Sequence, residues 1–303
     1  AGDREGAEIL YRQAADHGRL GALYSLAVLR EEAGDREGAE ILYRQVADGG
    51  DRGVLARLAW LREEAGDREG AEILYRQVAD GGDLGALYSL AVLRERAGDR
   101  EGAETFARQA ADGGDRGALA RLAWLREGAG DREGAEILYR QAADGGDRGA
   151  LYSLAELREE AGDREGAETL YRQAADHGVP GALYALARLR EEAGEREGAE
   201  ALARRAADHG DTDALVRLAV MRAEAGEREG AESLYRRAAD HGNTDALVRL
   251  AVMRAEAGER EGAESLYRQA ADHGSTNHGV GHKFERLWPY GLDPDGTPTP
   301  PWQ

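Results

Sequence analysis

Residues 33–50 read Ala33-Gly34-Asp35-Arg36-Glu37-Gly38-Ala39-Glu40-Ile41-Leu42-Tyr43-Arg44-Gln45-Val46-Ala47-Asp48-Gly49-Gly50, and this stretch decides the fold. Ala39, Leu42, Tyr43, Val46 and Ala47 share one face at helical spacing. Asp35 is a good cap for a helix beginning at Arg36, so the pattern predicts a helix from about Arg36 to Asp48, ended by Gly49 and Gly50. Upstream, Ala22, Leu23, Leu26, Ala27, Leu29 and Ala33 fall on one broad face and predict a first helix from about Gly21 to Ala33. Gly34 stops it, because glycine tolerates the left-handed backbone at a helix C-terminus. So little chain lies between the two helices that they must form a tight antiparallel hairpin.

The phrase Ala-Gly-Asp/Glu-Arg-Glu-Gly-Ala-Glu restarts at Ala1, Ala33, Ala65, Ala97, Ala129, Ala161, Ala193, Ala225 and Ala257, always at an interval of 32 residues. A period of this size is the mark of stacked supersecondary units. Short isolated helices are marginal in water, so each hairpin must take its stability from its neighbours. No useful length of chain alternates with period two, which argues against strands. The expectation is an all-α chain, a solenoid of two-helix repeats over residues 1–274 (eight full periods and a half), followed by a divergent segment, 275–303.

The repeat resembles the tetratricopeptide class and, within it, the Sel1-like branch. Leu23, Leu26 and Ala27 stand where such repeats carry a large residue, a leucine and a small residue. Ala39, Tyr43 and Val46 match the small, aromatic and small positions of the second helix. Tyr171-Arg172-Gln173-Ala174-Ala175-Asp176-His177-Gly178 looks like the end of a Sel1-like unit. The period is shorter than the usual 34, and Arg30 replaces a frequent aromatic. The resemblance implies a right-handed α-α superhelix whose first helices line a concave groove, and a role as an adaptor or scaffold that holds protein segments.

Composition narrows the function from another side. The formal net charge is −19, from 59 acidic and 40 basic residues, which argues against a phosphate backbone and an anionic membrane surface and permits a basic protein or peptide. There is no cysteine, so thiolate chemistry and cysteine-ligated metals are excluded. No phosphate-cradling loop or nucleophile elbow occurs. The expectation is a non-enzyme with no cofactor and no metal, in a cytoplasmic setting, with no run of apolar residues long enough for a transmembrane helix. His177, His209, His241 and His273, like His17, precede the glycine that ends a second helix, where a histidine suits the helix C-terminus. His278 and His282 are spaced for one helix face, with a structural role preferred to metal binding.

Specificity can reside only where the repeats differ. Tyr24, Val28 and Glu31 lie together on the first helix, away from its apolar stripe. Their counterparts are Ala56, Trp60 and Glu63, then Tyr88, Val92 and Glu95, then Ala120, Trp124 and Glu127, then Tyr152 and Glu156, then Tyr184 and Arg188. The candidate partner-binding residues are therefore Tyr24, Trp60, Tyr88, Trp124, Tyr152 and Tyr184 with the column Glu31, Glu63, Glu95 and Glu127. One reading is an acidic, aromatic-lined groove for an extended segment with basic residues. The other is packing between neighbouring repeats, large against small, in a structural or self-associating module. Arg30 and its counterparts are expected to cover the core with their stems and pair with a glutamate or a helix-end carbonyl.

The two ends are expected to differ. Ala7, Leu10, Tyr11 and Ala14 form an apolar face without the first helix that would cover it, a candidate for fraying or for contact with a second copy. At the other end Phe284, Leu287 and Trp288 could cap the last repeat, ahead of a proline-rich tail.

Overall fold

The computed structural model describes residues 4–273, in which 17 helices and no strand occur. They divide into two compact units, one ending at Leu157 and one beginning at Arg158. The segment 275–303, with Phe284, Leu287, Trp288, His278 and His282, lies outside the described residues.

In the first unit α1 (Arg4–Asp16) is followed by hairpins α2/α3 (Leu20–Glu32, Arg36–Asp48), α4/α5 (Val54–Glu64, Arg68–Ala79), α6/α7 (Leu84–Arg96, Arg100–Asp112) and α8/α9 (Ala118–Gly128, Arg132–Asp144). The helix α10 (Arg148–Glu160) carries the boundary. The second unit continues with α11 (Arg164–Asp176) and hairpins α12/α13 (Ala182–Glu192, Arg196–Asp208), α14/α15 (Asp213–Glu224, Arg228–Asp240) and α16/α17 (Thr244–Glu256, Arg260–Asp272). Within each unit the second helix of one hairpin packs on the first helix of the next, as α3 does on α4 and α13 on α14. The expected solenoid of paired helices is present in both.

The predicted helix boundaries agree with the structure to within a residue. Gly34 has φ +80° and completes the stop, while Ala33, expected on the apolar face, is the exposed residue that ends α2. Asp35 does two things with one carboxylate. Its Oδ1 accepts the Gly38 backbone N–H at 2.9 Å, and its Oδ2 accepts from the Arg30 guanidinium at 2.7 Å. These bonds, Arg30's first, hold its carboxyl below the usual carboxylate range. A Cβ at Gly38 would meet Asp35 Oδ2 at 2.3 Å, so this cap requires the glycine.

Buried Ala27, Ala39, Tyr43, Val46, Val54 and Leu58 form one of the layers between hairpins. Alanine at Ala27 and Ala39 lets the helix backbones approach; Tyr43 and the leucines supply the apolar area. In the second unit the corresponding layer is richer in alanine, with Ala199, Ala203, Ala206, Ala214, Ala219 and Ala231 buried around Leu215 and Leu218.

Candidate functional site

The first helices present the residues that differ between repeats. Trp60 is 38% exposed, Trp124 67% and Tyr24 42%. Tyr88, Tyr152 and Tyr184 are half-buried. Guanidinium groups lie against three of the aromatic rings: Arg57 over Trp60 at 4.3 Å, Arg121 over Tyr88 at 4.3 Å and Arg217 over Tyr184 at 5.0 Å. Such stacking stabilises modestly at exposed sites, by about 0.5–1 kcal/mol, and it fixes the rings as platforms. Tyr24 instead packs against Tyr43, ring centroids 5.7 Å apart.

The glutamate column has partners within the protein. Glu31, Glu63 and Glu95 take part in the seam between hairpins, and Glu127 pairs with the Tyr139 hydroxyl of its own hairpin. The Tyr43 hydroxyl donates to Glu31 at 2.9 Å, Tyr75 to Glu63 at 3.3 Å, Tyr139 to Glu127 at 2.8 Å and Tyr171 to Glu159 at 3.1 Å. Burial first, and then the adjoining carboxylate, raises the pKa of the Tyr43 and Tyr139 phenols, so both stay protonated donors. Arginines complete the shell: Arg57 binds Glu31, with Nε at 3.0 Å, and Arg96 binds Glu63 at 2.6 Å. The physical reason is position. A glutamate in the last turn of the first helix faces the phenol of its own second helix, not solvent alone.

In the two repeats whose second helix has alanine instead of tyrosine, Ala107 and Ala203, the arginine of the following first helix is buried. Opposite Ala107, Arg126 turns inward, 4% exposed, and donates to Glu95 at 3.0 Å through both Nε and Nη2, to Glu104 at 2.8 Å and to the Arg100 carbonyl at 3.2 Å. Opposite Ala203, Arg222 repeats the arrangement on Glu191, Glu200 and the Arg196 carbonyl. Burial works against the charge of Arg126, and its bonds to Glu95 and Glu104 more than offset that, so its pKa is raised. Elsewhere the counterpart of Arg126 points outward. Arg30 joins Glu8 on α1 to the cap Asp35, and Arg62 joins Glu40 to Asp67. When Arg126 turns in, Arg100 takes over the cap Asp131 at 3.1 Å; Arg196 does the same for Glu227. The expected glutamate pairing of this arginine is therefore present, in two forms.

The sequence reading passed over a second exposed feature. Ile9, Ile41, Ile73 and Ile137 recur at one position of the second helices and are 47–58% exposed. The signal was available: Ile41 stands two residues after the buried Ala39, on the opposite side of the helix. Leu10 and Tyr11 of α1 are 66% and 37% exposed, whereas the equivalent Tyr43 is fully buried and Leu42 half-buried. His177, His209, His241 and His273 end their helices, and His273 Nδ1 lies 2.8 Å from the Gln269 carbonyl. Among the described residues no group of three or more His, Cys, Asp or Glu is arranged to hold a metal. No helix among them is long and apolar enough to cross a membrane.

Residues 150–180 match the tetratricopeptide repeat family. Among solved structures the chain is similar to a Sel1 repeat protein from Oxalobacter formigenes, at 23% identity over 92% of this chain and 89% of that one, with a TM-score of 0.47. It is also similar to a tetratricopeptide repeat protein from Parabacteroides merdae, at 16% identity over 78% of this chain and 98% of that one (TM-score 0.40). A third, YrrB, is described as a tetratricopeptide protein with an unusual peptide-binding site; it is 18% identical over 59% of this chain and 97% of its own, with a TM-score of 0.36. No curated protein matches the chain. The matched residues 150–180 are one period of the phrase that recurs every 32 residues, and the chain is thus built of tetratricopeptide-like helical repeats.

Proposed function

We propose that the chain is a protein-interaction scaffold that holds an extended partner segment against the first helices of its first unit, through Tyr24, Trp60, Tyr88 and Trp124. One observation carries the reading: Trp60 and Trp124 stay exposed at 38% and 67% although each sits in a stack of hairpins able to cover it. Large exposed aromatics on rigid helices are the residues that supply most binding energy when a partner covers them. Tyr152 and Tyr184, half-buried, belong to the same aromatic series. The glutamates act here chiefly as the anchors that hold arginines and phenols in place around these rings.

The second reading, a self-associating module, has its own support in Ile9, Ile41, Ile73 and Ile137, which expose an apolar column on the second helices. Panning a displayed peptide library on the purified protein separates the two. The interaction reading expects binders that are lost when Trp60 and Trp124 are both changed to Ala and kept when Ile41 and Ile73 are changed to Ser. Binders indifferent to both tryptophans would overturn it. A concentration-dependent mass that falls in the Ile41→Ser/Ile73→Ser variant would favour self-association.

A further inference from the structure

Residues 55–63 of α4 and 119–127 of α8 have the same sequence, yet Trp60 is 38% exposed and Trp124 67%. The difference lies in where one arginine goes. Arg57 binds the Glu31 carboxylate, with Nε at 3.0 Å, and lies over the Trp60 ring at 4.3 Å. Its counterpart Arg121 binds Asp115, with Nη1 at 3.2 Å, and lies over Tyr88 of the preceding first helix at 4.3 Å. Both sets of residues are present in both repeats: Glu95 corresponds to Glu31, and Asp51 and Tyr24 correspond to Asp115 and Tyr88. What differs is who holds the glutamate. Glu31 accepts the Tyr43 hydroxyl and still offers both oxygens to Arg57. In α7 the tyrosine is replaced by Ala107, and Arg126 engages both oxygens of Glu95 at 3.0 Å. One carboxylate edge accommodates one guanidinium fork, so Arg121 is left to Asp115 and Tyr88. The second unit shows the same arrangement independently. Ala203 stands at the tyrosine position, Arg222 binds Glu191 through Nε at 2.8 Å and Nη2 at 3.1 Å, and Arg217, the counterpart of Arg121, lies over Tyr184 at 5.0 Å.

We propose that Arg126, by occupying Glu95, keeps Arg121 away from Trp124 and so holds this ring open as the foremost anchor for the partner segment. The inference rests on the interaction reading above for its consequence in binding. Arg126 is a positioning residue: it acts through Arg121 and not by touching the partner. Stacking of a guanidinium on an indole is favourable, so a partner reaching the covered face of Trp60 must first displace Arg57. At Trp124 the corresponding arginine is already committed to Asp115 and Tyr88. The two tryptophans, alike in sequence context, are thus graded as contact residues by the hairpin that precedes each.

The test uses the full chain carrying Ala107→Tyr with Arg126→Ala, which rebuilds at α7/α8 the residues found at α3/α4. Indole N–H signals of isotope-labelled tryptophan, with Trp124 assigned by Trp124→Phe, are broadened by a neutral paramagnetic chelate in solution. Broadening at Trp124 should exceed that at Trp60 in the parent chain and fall to the Trp60 level in the double variant. A library peptide selected on the parent chain should bind the double variant about tenfold more weakly. Adding Arg121→Gln removes the cover, so the ring should open again and most of the affinity return, which a purely structural role of Arg126 would not produce. The reciprocal change Tyr43→Ala should draw Arg62 onto Glu31, release Arg57 and raise the broadening at Trp60, so the test does not hang on one hairpin. Unchanged broadening of either ring in its folded variant overturns the proposal, as does a closed Trp124 with undiminished affinity. If the rings respond as expected but no binder depends on either tryptophan, the interaction reading falls and takes the anchor role with it.

Discussion

The two units are written in one repeat and present different surfaces. All nine large apolar side chains that stand exposed among the described residues belong to the first unit: Ile9, Leu10, Tyr11, Tyr24, Ile41, Trp60, Ile73, Trp124 and Ile137. At the isoleucine position the second unit has Thr169, Ala201, Ser233 and Ser265; at the tryptophan position it has Arg188, Val220 and Val252. Its arginine at that position is turned to internal use, bound to Glu159 and Glu192. The difference teaches that one scaffold can be kept while its outer positions carry large exposed apolar side chains in one unit and smaller or polar ones in the other.

The largest effect is predicted where the units are alike. Arg126 and Arg222 are buried in the same arrangement, each on two glutamates and a carbonyl, so Arg126→Ala and Arg222→Ala should each cost about 3 kcal/mol in denaturant unfolding, because each strands two glutamates in a largely covered seam. Arg94→Ala, at an outward-pointing counterpart, should cost about 1 kcal/mol or less. Adding Ala107→Tyr to Arg126→Ala should restore most of the loss by giving Glu95 a phenol donor, as Tyr43 gives Glu31. No recovery would show that the tyrosine and the arginine are not interchangeable parts.

The next effect separates the units. Trp60→Ala with Trp124→Ala should weaken a selected peptide about 30-fold, in the range of binding hot spots, while Val220→Ala with Val252→Ala should leave affinity within about twofold. Titration of both variants against one peptide is the check, and similar losses would erase the contrast.

A smaller contrast lies in the caps. In the first unit Asp35, Asp67, Asp99 and Asp131 each accept a backbone N–H of the following helix. In the second, Asp163 still accepts the Gly166 N–H, but Glu195, Glu227 and Glu259 stand at that position and make no such bond. A Cβ at Gly102 would meet Asp99 Oδ2 at 2.4 Å, while one at Gly198 would have Arg190 Cδ at 3.9 Å as its nearest neighbour. Gly198→Ala should therefore stabilise by about 0.5–1 kcal/mol, and Gly102→Ala should destabilise by breaking the cap. Thermal melts of the two variants should move in opposite directions.

The pH dependence follows from the same caps. The carboxyls of Asp35, Asp99 and Asp163 are held below their ordinary value, by Arg30 first in Asp35 and by the Gly102 and Gly166 backbone N–H groups first in the other two. A depressed carboxyl binds fewer protons when folded. Its stabilisation is present above the ordinary carboxylate range and is lost as pH falls through that range towards the folded value. Asp35→Asn with Asp99→Asn should flatten the acid limb of the stability profile.

Much of this was legible in the residues themselves. The period, both helices of the hairpin, the glycine stop and the aspartate cap could be read because each depends on local spacing. The exposure of Trp60 and Trp124 could not, because it depends on what the neighbouring hairpin offers. The partners of the glutamate column were hidden for a related reason. Helical spacing places Glu31 away from the apolar stripe, but only packing brings Tyr43 and Arg57 to it. The inward turn of Arg126 is written in Ala107, nineteen residues earlier in the chain and on a different helix, a pairing that periodicity within one helix does not reveal.

Site-specific photo-crosslinking asks directly whether the first helices of the first unit make the contact. A benzophenone side chain placed in turn at Tyr24, Trp124, Ile73, Val220 and Val252 would be irradiated with a library-selected peptide bound. Adducts are expected at Tyr24 and Trp124, with background labelling at the other three. Adducts mainly at Val220 and Val252, or at Ile73 alone, would contradict that contact.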